Sequence, residues 1–524
     1  MSDPVLFYNG VIHTLDPVRP HCTWFTVLGK SIQHIGDGEA PQTKTTIDLK
    51  GKVVVPGFVD AHTHFFQTGL DKLFCDFSSV KNIDDVHTLV SKSELGKRAW
   101  IFAHSYDEEN LSDGRPFTST QLDLACPQKP LWVNRVDYHS AVVNSVALKR
   151  LNIPIGIQGL MRDKDGIPTG VLRSEAYFYA KAKIASLYPL EIKNRAVNEA
   201  AKTCICHGVT AVHALEGGRI FGDEGVMPIL KKMERLPLDL TLFLQEKNLV
   251  YATKLGFRHL GGCILIDGSI GSYTAALDQD YQNAKGVRGH IYEKPREFFA
   301  FVEGAHCAGV QLSFHAIGPR AIQLVLDAYD SALRKYPRYD HRHRIEHFEL
   351  ATDEQIHRAR DLGVVASMQP NFEYFWGGPE KMYQKRLGDG WKCTNRFADI
   401  LKHGLTIAGG SDTNVTPPDP ILGIHAAVNH PNEDQKISVD AALRMMTINA
   451  AYAGFNETKM GTISPGKNAA FTVLDKDLFT VNPSEIKNIK VVETWFSGRC
   501  VYRSDSNLIE EVQNGSYLGA EEHS

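Results

Sequence analysis

Two periodicities alternate through the middle of the chain. Short continuous apolar runs are followed by longer stretches in which apolar residues return every three or four positions. The first pattern predicts strands buried on both faces, the second amphipathic helices, and their alternation predicts βα units around a parallel sheet. Nine runs read as strands: GFVDAH, LWVNRV, GVTAVHA, DLTLFL, CILIDG, VQLSFHA, HRIEH, GVVASMQP and LTIAGGSD. Nine is one too many for an eight-stranded barrel, so one belongs to an insertion or an edge. Among the helices, Thr352-Asp353-Glu354-Gln355 has capping-box form ahead of a helix running through Asp361, with Gly363 as its C-cap.

The two ends have a different texture, that of short strands punctuated by turns. VLFYNGVIHTL places Asn9-Gly10 between apolar runs, a hairpin signal, and SIQHIGDG and TTIDLKGKVVVPG follow in the same style. Near the other end, AAFTVLDKD and VVETWFSGRCVYRS flank a turn at Ser497-Gly498. Two β-rich ends can pair into one small domain, because chain termini often lie close together. The expected organisation is a β-sandwich domain from residues 1–55 plus 466–505, a barrel over 56–465 with a long insertion after its first strand, and a mobile polar tail over 506–524. No internal repeat is evident.

A length of 524 residues is too long for one compact core but fits an enlarged barrel with a companion domain. Hydrophobic residues at 43%, charged residues at 23% and a formal net charge of −4 are ordinary globular values. They give no bulk attraction for nucleic acid or an anionic membrane. No apolar run is long enough to span a bilayer, and the first residues lack the basic and apolar regions of a secretory signal. The nine cysteines are scattered and odd in number, which favours reduced thiols and a cytoplasmic location.

The chemistry concentrates at strand ends. In VDAHTH, His62 and His64 are alternate residues of one strand and present two imidazoles to one point, as a zinc-type ion requires. Asp60 is placed to orient a histidine. Four further apolar runs end on ligand-type residues: Cys263 or Asp267, His315, His347 and Asp412. Barrel enzymes carry their catalytic groups at the C-terminal ends of strands, so these groups converge on one rim. Asp412, an acid beside metal and water, is the candidate proton carrier.

With these landmarks the chain resembles the amidohydrolase superfamily, and more closely the branch called amidohydrolase family 3, which contains N-substituted formamide deformylase. The resemblance rests on VVVPGFVDAHTHF, DYHSAVVNSVAL, DGSIGSYTAAL, FHAIGPRAIQLVLDAY, RIEHFELATDEQI, SMQPNF, GGSDTNVTPPDPILGIHAAV and TINAAYAGFNETKMGTISPGKNA, which span nearly the whole chain. It implies an α/β fold, a (β/α)₈ TIM-like barrel with a β-sandwich built from both ends. It also implies metal ligands at His62, His64, His315, His347 and Asp412, and a metal-dependent hydrolase acting on non-peptide C–N bonds.

Three positions depart from the family pattern. Where many relatives carry a lysine that becomes carboxylated and bridges two metals, this chain has Cys263, leaving open a thiolate-bridged pair of ions or a single ion with Cys263 spare. Pro319 replaces an acid after HAIG, and Tyr273 replaces an arginine; Asp267 is kept. Tyr106, His139, Asn144, Asp267 and Tyr273 are the candidate substrate contacts, the family carrying a similar histidine at 139. His213 and Glu216 are candidates for second-layer or substrate contacts, His341 and His343 are expected to be solvated, and the aromatics of NFEYFWGG belong to core, dimer surface or an apolar pocket. The cofactor expected is zinc, one or two ions per chain, with other divalent metals allowed; the partner is a small-molecule substrate, with room for a homodimer. The leading activity is amide or formamide hydrolysis. The alternatives are a one-metal deaminase of an amidine or aminated ring, and a metal-free scaffold of the same fold.

Overall fold

A computed structural model describes residues 3–92, 99–218 and 223–505. Contacts divide the chain into two units: Met1–His64, Ala201–Leu215 and Lys232–Ser524 form one, Phe65–Ala200 and Glu216–Lys231 the other. The 506–524 segment, expected to be a mobile tail, lies outside the described residues.

The first unit is built on an eight-stranded parallel barrel. Its strands, in order, are Phe58–Thr63, Val209–Glu216, Asp239–Leu244, His259–Leu265, Gln311–Ala316, Arg344–His347, Val365–Met368 and Ile407–Gly409, each beside its successor. The first and last meet through the backbone, Asp412 N–H donating to His62 O at 2.9 Å and Thr63 bridging to Thr413. Closure therefore sets His62 and Asp412 side by side. Eight of the nine predicted strands are the barrel's. The ninth, LWVNRV, forms Leu131–Arg135 in a separate six-stranded sheet of the second unit. A short apolar run is the same signal in either sheet.

Helices on the barrel begin where sequence chemistry allows. Thr352 and Gln355 make the predicted capping box ahead of Asp353–Asp361, which ends on Leu362 with Gly363 next at φ +68°. Pro319 stands at the start of Pro319–Lys335, where its missing N–H has no helical partner to lose.

Both chain ends contribute to one eight-stranded sheet, in the order Arg499–Arg503, Val491–Phe496, Phe471–Leu474, Val53–Pro56, Val5–His13, His21–Leu28, Ser31–Gly36, with Thr45–Asp48 also on Val5–His13. Phe7, Phe25, Phe471 and Trp495 pack ring against ring in its core. Ser497 and Gly498, both at positive φ, make the expected tight turn. Asn9-Gly10 does not. It is a bulge inside the single strand Val5–His13, which pairs with Thr45–Asp48 before it and with Val53–Val54 after it. Asn9 sits at φ +58° with its side chain on Asp48, and a Cβ at Gly10 would lie 2.7 Å from Leu49. The same left-handed preference that makes a hairpin turn makes a bulge when the strand steps between two partners.

Candidate metal centre

Six side chains gather at the C-terminal mouth of the barrel, all from the first unit. His62 comes from the first strand and His64 from just beyond it, Cys263 from the fourth, His315 from the fifth, His347 from the sixth and Asp412 from just beyond the eighth. Their ligand atoms form three sets, each within 4.8 Å: His62, His64 and Cys263; Cys263, His315 and His347; and His62, His347 and Asp412. Asp412 Oδ1 lies 3.2 Å from the Nε2 atoms of both His62 and His64, and Cys263 Sγ lies 3.5 Å from each. His62 is wholly buried, while the His64 side chain keeps 25% exposure, so the cluster opens to solvent on the His64 side.

The fourth strand is shaped to deliver its thiol. Pairing with the fifth strand is regular from His259 to Gly261, breaks, and resumes at Leu265 opposite His315. Gly261 and Gly262 hold φ of +99° and +93°, and a Cβ on Gly261 would lie 1.8 Å from Ser313 O. Only glycine fits there, and the irregularity turns Cys263 toward the histidines. Burial disfavours the thiolate, yet His64 and His62 hold the Cys263 pKa well below its ordinary value. Burial likewise opposes the Asp412 carboxylate, and the same imidazoles hold it well below the usual range.

A layer of buried polar groups fixes the rings. His62 Nδ1 lies 2.7 Å from Glu346 Oε2, and His347 Nδ1 lies 2.7 Å from Gln369 Oε1. Glu346 is held by Arg344, whose Nε is 2.7 Å from Oε1, and by the Ser313 hydroxyl. Arg344 also reaches Ala61 O, Ser367 Oγ and His213 Nδ1, and its guanidinium lies 4.4 Å from the centre of the Phe243 ring. His213 thus belongs to this supporting layer. Glu216 lies in the other unit, where it accepts from Phe66 N–H.

Several expectations need correction. The Asp60 carboxylate accepts from His62 N–H, Ser411 N–H and the Ser411 hydroxyl, tying the backbone of the first strand to the loop that carries Asp412. The orienting acid is Glu346, which sequence reading overlooked although it stands beside His347 in RIEH. Asp267 is fully buried, its oxygens accepting from the N–H groups of Ala276, Ile317 and Gly318, with Oδ1 3.9 Å from His315 Nε2, so it ties two rim loops together. Burial pushes its carboxyl up to about 7. Tyr106 is 2% exposed in the apolar core of the second unit, its hydroxyl accepting from Phe117 N–H. Asn144 is the buried N-cap of Ser145–Leu151, with Oδ1 accepting from Leu131 and Ala147 and Nδ2 donating to Cys126 O and Lys129 O. Both side chains are buried and bonded within the second unit. His341 and His343, expected in solvent, are buried.

His139 is half-buried in the second unit, its backbone N–H donating to Asp137. Tyr273 belongs to the first unit, at φ +59°, with the Arg386 guanidinium 4.1 Å from its ring centre. Of the NFEYFWGG aromatics, Phe372 is buried and lies parallel to the His347 ring at 6.0 Å, Trp376 packs against it, and Tyr374 and Phe375 are exposed.

The donor set fits a metal ion. His347 Nε2 and Asp412 Oδ1 are buried without a hydrogen-bond partner, and Asp412 Oδ1 faces two imidazole nitrogens at 3.2 Å. Buried polar atoms are rarely left so in a folded protein unless something else satisfies them.

Residues 45–502 match the profile of the Amidohydrolase family. The chain belongs to this family. It is 28% identical to the putative amidohydrolase YtcJ of Bacillus subtilis (strain 168), over 88% of this chain and 91% of that protein. It is 25% identical to the N-substituted formamide deformylase of Arthrobacter pascens, over 94% of this chain and 97% of that enzyme. In fold it is similar to an uncharacterized metal-dependent hydrolase from Pyrococcus horikoshii OT3, with a TM-score of 0.75 at 23% identity, covering 92% of this chain and 99% of the other. Family membership supports a hydrolase role. Among the described residues no helix is long and apolar enough to cross a membrane.

Proposed function

We propose that this protein hydrolyses the C–N bond of an amide or formamide, using zinc or a similar divalent ion held by His62, His64, His315, His347 and Asp412. The observation that carries the reading is the buried convergence of imidazoles, thiol and carboxylate, with His347 Nε2 and Asp412 Oδ1 unsatisfied. Imidazole and thiolate donors suit zinc. When bound, such an ion polarises the scissile carbonyl and makes water acidic enough to attack it near neutral pH.

The chain's own residues supply the rest. Asp412 takes the proton of the attacking water and delivers it to the departing nitrogen, which leaves as a neutral amine. Glu346 and Gln369 keep the Nε2 atoms of His62 and His347 turned toward the centre, because each accepts from the opposite ring nitrogen. Phe372, flat against His347, offers an apolar wall for the substituent on the substrate nitrogen. Tyr273 and His139 are retained as candidate substrate contacts. The formamide reading is supported by similarity to a formamide deformylase across nearly the whole chain. Nine free cysteines suit a reducing, cytoplasmic setting.

The test is a panel of N-formyl and N-acyl amines assayed with metal-replete protein before and after chelation. Amine release that disappears with the metal and returns on its restoration is the expected result. Full activity after complete metal removal, or ammonia release confined to amidines and aminated rings, would replace this reading.

A further inference from the structure

A pair of imidazoles outside the barrel faces one point in the sheet formed by both chain ends. His13 closes the strand Val5–His13, His21 opens His21–Leu28, and the two are cross-strand partners. Their Nδ1 atoms lie 3.1 Å apart, with the ring planes 76° from each other. On the far side of the first ring, Asp477 Oδ1 accepts from His13 Nε2–H at 3.0 Å. His13 is buried and His21 exposed, and all three residues belong to the first unit.

This arrangement selects a tautomer. With the proton of neutral His13 committed to Nε2, its Nδ1 presents a lone pair to His21. Asp477 is itself held in a turn, Oδ1 also accepting from Phe479 N–H at 3.0 Å and its carbonyl accepting from Thr480 and Val481 N–H. The Phe479 ring lies 4.4 Å from the His13 ring. A carboxylate on the outer nitrogen is the support that metal-binding histidines commonly have. The loop between the two histidines is also fixed. Thr14 N–H donates to Pro20 O at 2.9 Å, and Asp16 Oδ1 accepts from Val18 and Arg19 N–H. The rings are therefore brought together by the backbone.

A direct hydrogen bond between the two Nδ1 atoms would need the His21 proton on Nδ1. It would contribute little, because the exposed His21 ring can bond to water instead. The spacing suits a cation. Nitrogens about 2.0–2.1 Å from one ion and 3.1 Å from each other subtend roughly 100° at it, between the octahedral and tetrahedral angles. Imidazole donors favour nickel, copper or zinc over magnesium or calcium.

We propose that His13 Nδ1 and His21 Nδ1 form a further cation site, for a divalent ion of the nickel, copper and zinc group, with Asp477 orienting the His13 ring and water completing the shell. In neutral His21 the proton then sits on the exposed Nε2. The site is independent of the chemistry at the barrel mouth. Because its ligands meet only in the folded hairpin, occupancy stabilises the sheet that joins the chain ends.

The experiment dialyses the full-length protein against graded nickel(II) and counts bound nickel per chain in the parent and in His21→Ala, a truncation at an exposed position. The parent should bind one ion more than the variant, a difference in which ions at the barrel mouth cancel. Asp477→Asn should weaken that ion by roughly 10- to 100-fold. A measurement on the parent alone needs no variant to fold: copper(II) with ascorbate oxidises side chains that hold copper, and mass spectrometry should find the oxidation on His13 and His21. Equal nickel counts in the parent and a folded His21→Ala protein, or oxidation that spares the peptide holding His13 and His21, overturns the site. An extra ion that Asp477→Asn binds as tightly as the parent overturns the role given to Asp477.

Discussion

Glu346 Oε2 lies 2.7 Å from His62 Nδ1, deep in the barrel and shielded from water. The contact makes His62 Nδ1 the donor and directs Nε2 toward Cys263 and Asp412. Burial opposes the Glu346 carboxylate, but Arg344 and His62 hold its pKa well below the usual range. The sign follows: a depressed folded pKa gives stability that is full above the unfolded value of about 4.3 and is lost only in strong acid. Across neutral pH, Glu346 is therefore an ionised and fixed partner.

Glu346→Gln should weaken metal binding by roughly 10- to 100-fold, as loss of a residue that orients a ligand does. It should also lower the melting temperature, because Arg344 is left buried without its counter-charge, a loss of about 3–5 kcal/mol in comparable pairs. Competition against a calibrated chelator measures the first effect and a thermal melt the second. Parent-like metal affinity in a folded Glu346→Gln protein would remove Glu346 from the centre.

Tyr106→Phe separates scaffold from specificity. The change leaves Phe117 N–H buried without its acceptor, which costs about 1–3 kcal/mol. Urea unfolding should register that loss, while KM for any substrate found should stay within about twofold, on the order of the RT scale. A changed KM at unchanged stability would return Tyr106 to the substrate site.

The residues that converge at the barrel mouth were legible because chemistry and position coincide: a histidine, cysteine or aspartate closing an apolar run is visible in the sequence, and closed barrels bring such ends together. The supporting layer was harder to read. Glu346 lies inside a strand where its neighbours Ile345 and His347 already explain the pattern, and its partners Ser313 and His62 meet it only when the barrel closes. Asp267 and Asn144 misled for the opposite reason. Both are polar residues in recognisable motifs, and both spend bonds on backbone groups far away in sequence, Asp267 on Ile317 and Gly318 and Asn144 on Leu131 and Cys126. Short-range pattern shows that a polar residue is present, whereas its bonding partners are set by tertiary closure. The same limit made LWVNRV read as a barrel strand and Asn9-Gly10 as a hairpin.

Glu373 gives a pH-dependent prediction outside the centre. Its Oε1 accepts from the Thr394 hydroxyl and Asn395 Nδ2, while Oε2 is buried without a partner. Burial pushes the carboxyl up to about 7. A folded pKa above the unfolded value of about 4.3 means that the folded state holds the proton more tightly, so the contribution is full at low pH and fades as pH rises toward 7. Glu373→Gln carries no such proton. The parent should therefore lose roughly 2 kcal/mol relative to this variant between about pH 5 and about pH 8. Paired urea titrations at the two pH values measure it, and a constant difference would show that Glu373 is already ionised in the fold at the lower pH.

The last prediction concerns Asp412, whose Oδ1 faces His62 Nε2 and His64 Nε2 at 3.2 Å and has no hydrogen-bond partner. Two roles compete for this atom, ligand and proton carrier, and Asp412→Asn distinguishes them. The amide keeps an oxygen in the same place and so preserves much of the capacity to bind a cation, but it cannot take a proton from water. If proton transfer is the larger contribution, turnover should fall by at least about 10²-fold while metal content falls much less. The backbone will tolerate the change, because Asp412 sits at φ +55°, a conformation asparagine adopts readily, and its N–H still donates to His62 O. Metal analysis and single-turnover rates on the same preparation give the two numbers. Parallel losses would make Asp412 chiefly a ligand, and a variant within a few-fold of the parent rate would require another proton carrier at the barrel mouth.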